Sequence, residues 1–460
     1  KRYFLIVDGQ NNPFNVSPTP TIGSYLLRFG LNGELLGADR TSNFTGVTLQ
    51  QDACGNHQVF HSTGTPTQFR AVRTIHTNNG SCGSNCYEAY DPNLLDVEMD
   101  SVILSDITTS GPAVRNIRMK VKSKSVVPVT AMELKYRINN DPVQTITWNG
   151  NMITGDTLSF FVNGYNFNRT YNRMKVWVHH VNSISDNFQE NDTIIKSQII
   201  CTAPLAGTYS AGCDTCYFDN IQASATTLKT CGVSGPVKIA IEPGSYLEQI
   251  RIDSIPFASD IDSVIWTSRT GNTEDVVVSF NTDYSYYRTL FQLANASYCS
   301  FEYMTLNNHL PRAYDAMQND AGSRSVFYLL ASHDINVRYC KLNGVESTGL
   351  AIGASNLFYS YQGYNLRIQN NQFRNGGMAI SVGGNIPRVR NIVITNNEAK
   401  QTNGFQFVKT DSLIIDGNRI EAIGDEVASW IQINECDSFR ITKKKIKNDV
   451  WGDKITNGYC

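Results

Sequence analysis

Between residues 299 and 446 one eight-residue template is written six times. The copies are CSFEYMTL (299–306), INVRYCKL (335–342), LRIQNNQF (366–373), IVITNNEA (392–399), LIIDGNRI (413–420) and FRITKKKI (439–446). Positions one, three and eight are mostly apolar, and successive copies start 21 to 36 residues apart. Alternation of this kind buries one face of a strand. One strand-like core per irregular repeat marks a solenoid, in which each unit covers its apolar face only by stacking on the next. Position six reads Met304, Cys340, Asn371, Asn397, Asn418 and Lys444. An amide turned inward at a constant position can hydrogen-bond to its counterpart in the next turn, and Asn also tolerates a left-handed backbone. Asn371, Asn397 and Asn418 are therefore expected to form a ladder at a tight corner. The variable spacing predicts one corner with loops of different length. The expected fold is all-β, with a right-handed parallel β-helix as its main body. A leucine-rich repeat is disfavoured, because its short fixed period and clustered leucines are missing and Gly, Asn and Ser stand between the strands.

This stretch resembles the pectin-lyase-like β-helices. Residues 204–280, with LAGTYSAG, TCGVSGPVKIAIEPGSYLEQIRI and SVIWTSRTGNTEDVVVSF, are similar to the opening coils of β-helices in large secreted surface proteins of Bacteroidetes. The resemblance covers about half of the chain. It is specific as architecture but not as activity, since that fold carries lyases, hydrolases and non-catalytic adhesins alike. Residues 204–460 are assigned to it. Within them Phe218, Ile221, Ala225 and Leu228 recur at helical spacing, which predicts one amphipathic helix capping the open N-terminal end. Nine or ten coils at about 4.8 Å each would build a rod of roughly 45 Å.

Residues 1–95 hold a second repeat. DGQNNPFNV (8–16) returns as DACGNHQVF (52–60), and YLLRFGLNGEL (25–35) as FRAVRTIHTNNG (69–80), in both cases 44 residues on. The units end in Asn-Gly, a hairpin signal, and the period suits propeller blades. SYLLRFGLNGELLGA resembles the β-propeller repeats of bacterial surface proteins. Two blades cannot close a propeller, so they are expected to end a longer array that begins before Lys1. A small sandwich is the alternative. Residues 96–203 read as alternating strands at sandwich spacing and resemble an immunoglobulin-like spacer, with Trp148 and Trp177 expected in its core.

With a net charge of −2 and only 17% charged residues, the chain shows neither a nucleic-acid footprint nor a polybasic membrane patch. The one basic run, residues 443–447, reads as a solvated strand end. No apolar run approaches the ~18 residues of a membrane span, so no membrane insertion is expected. Lys1 leads directly into a strand-like segment, as in a mature chain or a fragment. Of the eleven cysteines, Cys54, Cys82 and Cys86 form one turn-rich group and Cys213, Cys216 and Cys231 another. Both suggest disulfides and an oxidising compartment. Cys299, Cys340 and Cys436 read as small buried hydrophobes.

Catalysis on such a coil needs carboxylates for calcium with an Arg or Lys base, or clustered Asp residues with a His. The densest set is Asp315, Asp320, Asp334, His309, His333 and Arg338, and no familiar hydrolase signature accompanies it. Asp411, Asp416, Asp425, Asp437 and Glu435 read as turn-capping residues. His179 and His180 lie on an alternating strand, which sends one of them outward with no third ligand in view. No catalytic or metal residue is assigned and no cofactor is expected, calcium being the ion that a lyase-type face would take. Two tyrosine clusters, Tyr284, Tyr286 and Tyr287, then Tyr359, Tyr361 and Tyr364, precede templated strands and could stack on sugar. The Bacteroidetes resemblance alone implies O-glycosylation at Asp-Ser/Thr-aliphatic sites, here Ser101, Thr157, Thr193, Ser254, Ser263 and Ser412. The expectation is a secreted, surface-attached protein without enzymatic activity, an adhesin or structural component that binds glycan or another surface protein. A polysaccharide lyase or glycoside hydrolase and a filament subunit are the alternatives.

Overall fold

The computed structural model describes residues 94–105, 113–185, 188–280, 289–308, 325–344, 356–384, 389–402, 404–422, 431–443, 445–447 and 455–458, together with six strands before residue 77. It is built mostly of strands and divides into two compact units, residues 1–96 with 125–128, and residues 97–124 with 129–460. In the first unit each 44-residue repeat supplies an antiparallel three-stranded sheet. Tyr3–Gly9, Gly23–Phe29 and Leu35–Thr41 form one, and Val47–Gln51, His57–Thr63 and Arg70–His76 form the other.

The second unit opens with two antiparallel sheets. One holds Gln144–Met152, Val129–Ile138, Tyr171–Val181 and Thr193–Ile199, in that spatial order, and the other Thr157–Asn166, Val114–Ser123 and Val97–Leu104. Alternation sets their faces. Along Tyr171–Val181, Met174, Val176 and Val178 are buried, while Lys175 and Trp177 point outward, the ammonium 5.4 Å from the indole centroid. Neither Trp148 nor Trp177 is therefore a core residue, contrary to expectation. Both are half-buried, and aliphatic side chains, Met, Phe160 and Phe167 fill the interior.

From Leu205 on, the chain visits three parallel sheets in rotation. The first has nine strands, beginning with Leu205–Ala211, Val233–Ile241 and Val264–Ser268 and continuing through the six templated copies. The second and third have eight strands each. Every strand pairs in parallel with the equivalent strand one turn later, as in Val264↔Cys299↔Ile335↔Leu366↔Ile392↔Leu413↔Phe439. Each turn thus contains three strands rather than one. The template spans two of them, with positions one to four in the first sheet, seven and eight in the second, and the corner between. Its uneven spacing arises mainly between the second and third sheets, where the connection runs from Asn308 to Phe327, from Asn343 to Phe358, and from Arg374 to Ile380.

The corner explains the asparagines. Position five carries the left-handed residue, at Tyr303, Tyr339, Asn370, Asn396, Gly417 and Lys443. Position six turns inward. Asn371, Asn397 and Asn418 are all buried. The backbone N–H groups of Cys340, Asn371 and Asn397 each donate to the next amide oxygen at 2.9 Å, and the amide nitrogens donate at 2.8 Å to the carbonyls of Val337, Ile368 and Ile394. The two tasks expected of one Asn are therefore split between neighbours. At Gly417 (φ 67°) a Cβ would stand 2.2 Å from Asn396 Oδ1, so glycine is the residue that fits there.

Inside the coil, Phe291, Phe327 and Phe358 stack along the third sheet with centroids 5.0 and 5.9 Å apart, and Trp266 lies parallel to Phe301 at 5.3 Å. The helix Ile221–Cys231 packs over the first turn. Asn220 caps it by accepting from Ala223 N–H at 2.7 Å, and Gly232 (φ 72°) ends it. The Glu248 carboxylate accepts from the Ile221 and Gln222 N–H groups at 3.1 and 3.0 Å, placing negative charge at the positive end of the helix dipole. Burial still raises the Glu248 pKa above its ordinary value, against those two bonds. Ser224, on the buried face, accepts from Trp266 Nε1 at 3.0 Å and joins the helix to the coil interior.

The antiparallel sheets meet this end of the coil through side chains around Asp219. Its carboxylate accepts from Tyr171 and from Ser197 Oγ (3.2 Å), and Arg173 Nε lies 3.9 Å away. A disulfide joins Cys201 to Cys231 at the helix C-terminus, and Cys213 pairs with Cys216. Cys201 lies outside the group Cys213, Cys216 and Cys231, 30 residues before its partner. Cys54, Cys82, Cys86 and Cys460 lie outside the described residues.

Cys299, Cys340 and Cys436 are buried thiols outside the disulfides, and burial pushes the first two up to about 12. Only the thiolate is nucleophilic, so at about pH 8 roughly one part in ten thousand would be reactive even if reagent could enter. A short iodoacetamide pulse followed by peptide mapping is expected to leave all three unmodified in the native protein and to label them fully in denaturant. Rapid native labelling of Cys299 or Cys340 would contradict this packing.

Candidate functional site

The inward face of the coil is apolar, so any recognition must use outward columns, in which equivalent residues of successive turns stand above one another. One corner, where the third sheet passes into the first, concentrates aromatic and amide side chains. On the third sheet Tyr328 pairs in register with Tyr359, and their rings stack at 5.7 Å and 7°. Tyr361 lies on the same strand, half-buried, with Gly383 at the equivalent place in the next turn. Past the corner, His333 stacks on Tyr364 at 4.5 Å and 9°. Tyr298 meets the His333 ring edge-on at 5.7 Å, and the Arg390 guanidinium lies 5.5 Å from the Tyr364 centroid. Four successive turns thus contribute Tyr298, His333, Tyr364 and Arg390 to one stack.

Beside it runs a polar column. Asn391 Nδ2 donates to Asn365 Oδ1 at 2.8 Å, Asn365 Nδ2 donates to Asp334 Oδ1 at 3.0 Å, and Asp334 Oδ2 lies 2.7 Å from His333 Nδ1. Tyr298, Asp334, Asn365, Asn391 and Ser412 all have positive φ. This second left-handed ladder runs near the start of the five first-sheet strands that carry these residues. The Asp334 charge holds the Tyr298 hydroxyl above its ordinary pKa. The arrangement offers flat ring faces beside fixed amide and carboxylate groups, the combination that suits a sugar's apolar face and ring of hydroxyls.

The expected site residues divide as follows. Tyr359 and Tyr361 lie on the third sheet and Tyr364 on the first, at one corner. Tyr284, Tyr286 and Tyr287 lie outside the described residues, as do His309, Asp315 and Asp320. Of the possible acid–base set, Asp334 contacts His333, while Arg338 is held by Glu302 at 2.6 Å and is not brought to them. Tyr328 and Tyr298 were missed, because pairing one turn away makes the stacks and no local motif announces it. Of the modification sites, Thr157, Thr193, Ser254 and Ser412 are exposed, and Ser101 and Ser263 are half-buried.

One expectation is corrected. His179 and His180 do have a third potential ligand, for Glu133 on the neighbouring strand reaches both. Among the described residues these three are the one group of His, Cys, Asp or Glu placed to share an ion. Also among the described residues, no helix is long and apolar enough to cross a membrane.

No protein-family model matches the chain, and no curated protein does. A solved structure it is similar to is the CARDB domain of a Pyrococcus furiosus protein in complex with di-metal ions, 12% identical over 23% of this chain and 88% of that one, with a TM-score of 0.19. A likeness of that size carries no argument about fold or ligand.

Proposed function

We propose that this chain is a secreted cell-surface adhesin or structural surface component, non-enzymatic, that binds glycan along the outside of a right-handed parallel β-helix of the pectin-lyase-like type. The three rotating parallel sheets support the β-helix reading. The two antiparallel sheets of four and three strands support an immunoglobulin-like spacer, and the two 44-residue units support propeller-like repeats. Disulfides in the described residues fit an oxidising compartment. The observation that carries the binding reading is the outward aromatic corner, in which Tyr359 stands in register with Tyr328 and Tyr364 with His333, beside the amide column and with Tyr361 on the same strand as Tyr359.

Affinity electrophoresis of the whole chain through gels containing acidic or neutral polysaccharides tests it. At least one polysaccharide is expected to retard the protein. The Tyr359→Ala, Tyr361→Ala and Tyr364→Ala variants together should weaken the retention at least roughly tenfold, since each stacked ring contributes about 0.5–1.5 kcal/mol, with no change in mobility through a plain gel. Unchanged retention in that variant would remove the tyrosine corner from the reading. Release of unsaturated or reducing ends from the same polysaccharides would replace it with a lyase or hydrolase, with His333 and Asp334 as the first residues to substitute.

A further inference from the structure

Simple alternation along Tyr171–Val181 would send His179 and His180 to opposite faces. The pairing with Val129–Ile138 prevents this. It shifts between Val178 and His180, so that Val178 stands opposite Leu134 and His180 opposite Glu133. A bulge of this kind re-aims side chains, and here it brings two imidazoles to one carboxylate. His180 Nδ1 lies 2.9 Å and His179 Nε2 3.9 Å from the same Glu133 oxygen, Oε2. The two rings are 4.0 Å apart, and one ligand atom from each of the three residues lies within 4.8 Å of the others. All three side chains are partly open to solvent. Lys135 Nζ approaches the other Glu133 oxygen at 3.9 Å and leaves Oε2 to the imidazoles.

We propose that Glu133, His179 and His180 form a zinc-binding site. Two imidazoles and a carboxylate are a donor set that zinc takes readily, leaving a fourth tetrahedral position open. Ligand atoms at about 2.0–2.1 Å from zinc stand about 3.4 Å from one another, so the present span closes by small side-chain rotations on paired strands. A surface hollow of about 380 Å³ lies against Glu133 and His180, lined also by Thr147, Trp148, Asn149 and Ser183. It gives the fourth ligand, a water or an anionic oxygen, room to enter beside an indole face.

The full chain, stripped with EDTA, is titrated with Zn²⁺ in competition with a chromophoric chelator, and its melting temperature is followed with and without Zn²⁺. The wild type is expected to bind one ion at this site and to melt higher with zinc. His180→Ala, His179→Gln and Glu133→Gln should each weaken binding at that site at least roughly tenfold and abolish the zinc-dependent rise. Lys135→Ala should leave zinc affinity undiminished. Co²⁺ in place of Zn²⁺ should give the visible absorption of a four-coordinate ion in the wild type and not in Glu133→Gln. Zinc affinity and melting response unchanged in His179→Gln and Glu133→Gln, or no uptake by the wild type, would overturn the proposal. His179→Gln, at a side chain about one-third open to solvent, decides the matter should either other variant fold poorly.

Discussion

Asn397→Ala is expected to destabilise the coil by about 3 kcal/mol, whereas Asn396→Ala, one residue earlier, is expected to cost about 1 kcal/mol. Asn397 accepts from the Asn371 backbone N–H at 2.9 Å and side chain at 3.1 Å, and donates to Ile368 O at 2.8 Å and Asn418 Oδ1 at 3.0 Å. All of this happens out of reach of water. Alanine leaves a buried N–H without its acceptor and a carbonyl without its amide donor, each worth about 1–3 kcal/mol when orphaned. Asn396 contributes chiefly a left-handed backbone at φ 55°, which alanine adopts at roughly 1–2 kcal/mol. Urea unfolding of the two variants, followed by far-ultraviolet circular dichroism, measures the difference. Equal losses would show that the inward amide does nothing that the corner backbone does not.

Trp266→Ala is expected to cost about 4 kcal/mol and to loosen the helix Ile221–Cys231. Trp266 is wholly buried, stacks on Phe301 and bonds to Ser224 on that helix. Truncating a buried Trp loses its transfer free energy and leaves a cavity that close-packed neighbours fill only in part. The effect should reach the helix because Ser224 loses its partner across the interface. Its own hydroxyl continues to donate to Ile221 O at 2.6 Å, so the helix stays formed but is less firmly held. Hydrogen exchange at residues 221–231 is expected to quicken in Trp266→Ala and to change much less in Trp266→Phe, which keeps most of the ring volume. Exchange that stays at the wild-type rate in the alanine variant would mean that the Cys201–Cys231 disulfide and the Asn220 cap hold the helix without the tryptophan.

Much of this molecule is local in origin and was therefore legible. Leu366, Ile368 and Phe373 announce an inward face by alternation, because a strand can bury only every second side chain. A position that returns with every copy of the template, as Asn371, Asn397 and Asn418 do, must lie at one place in every turn, so the ladder could be read before its bonds were seen. The helix was legible from Phe218, Ile221, Ala225 and Leu228 for the same reason, and three of these residues fall within Ile221–Cys231.

What stayed hidden was decided by partners far along the chain. Each turn has its own loop length, so nothing local says that Tyr359 will stand on Tyr328 or Tyr364 on His333, 31 residues apart in both cases. Cys201 finds Cys231 only because the helix end returns to the segment between Thr193–Ile199 and Leu205–Ala211. Trp177 looked like core and is not, since its neighbours Val176 and Val178 take the inward places. His179 and His180 looked separable and are not, since a one-residue slip against a strand more than forty residues away turns both toward Glu133. Thus the sequence by itself determined which residues of the templated strands turn inward and where their corners fall, because those follow from the period of a strand and the dihedral preferences of Asn and Gly. Only the tertiary structure decided which outward side chains meet, because that depends on register between strands, and register is a property of the pair.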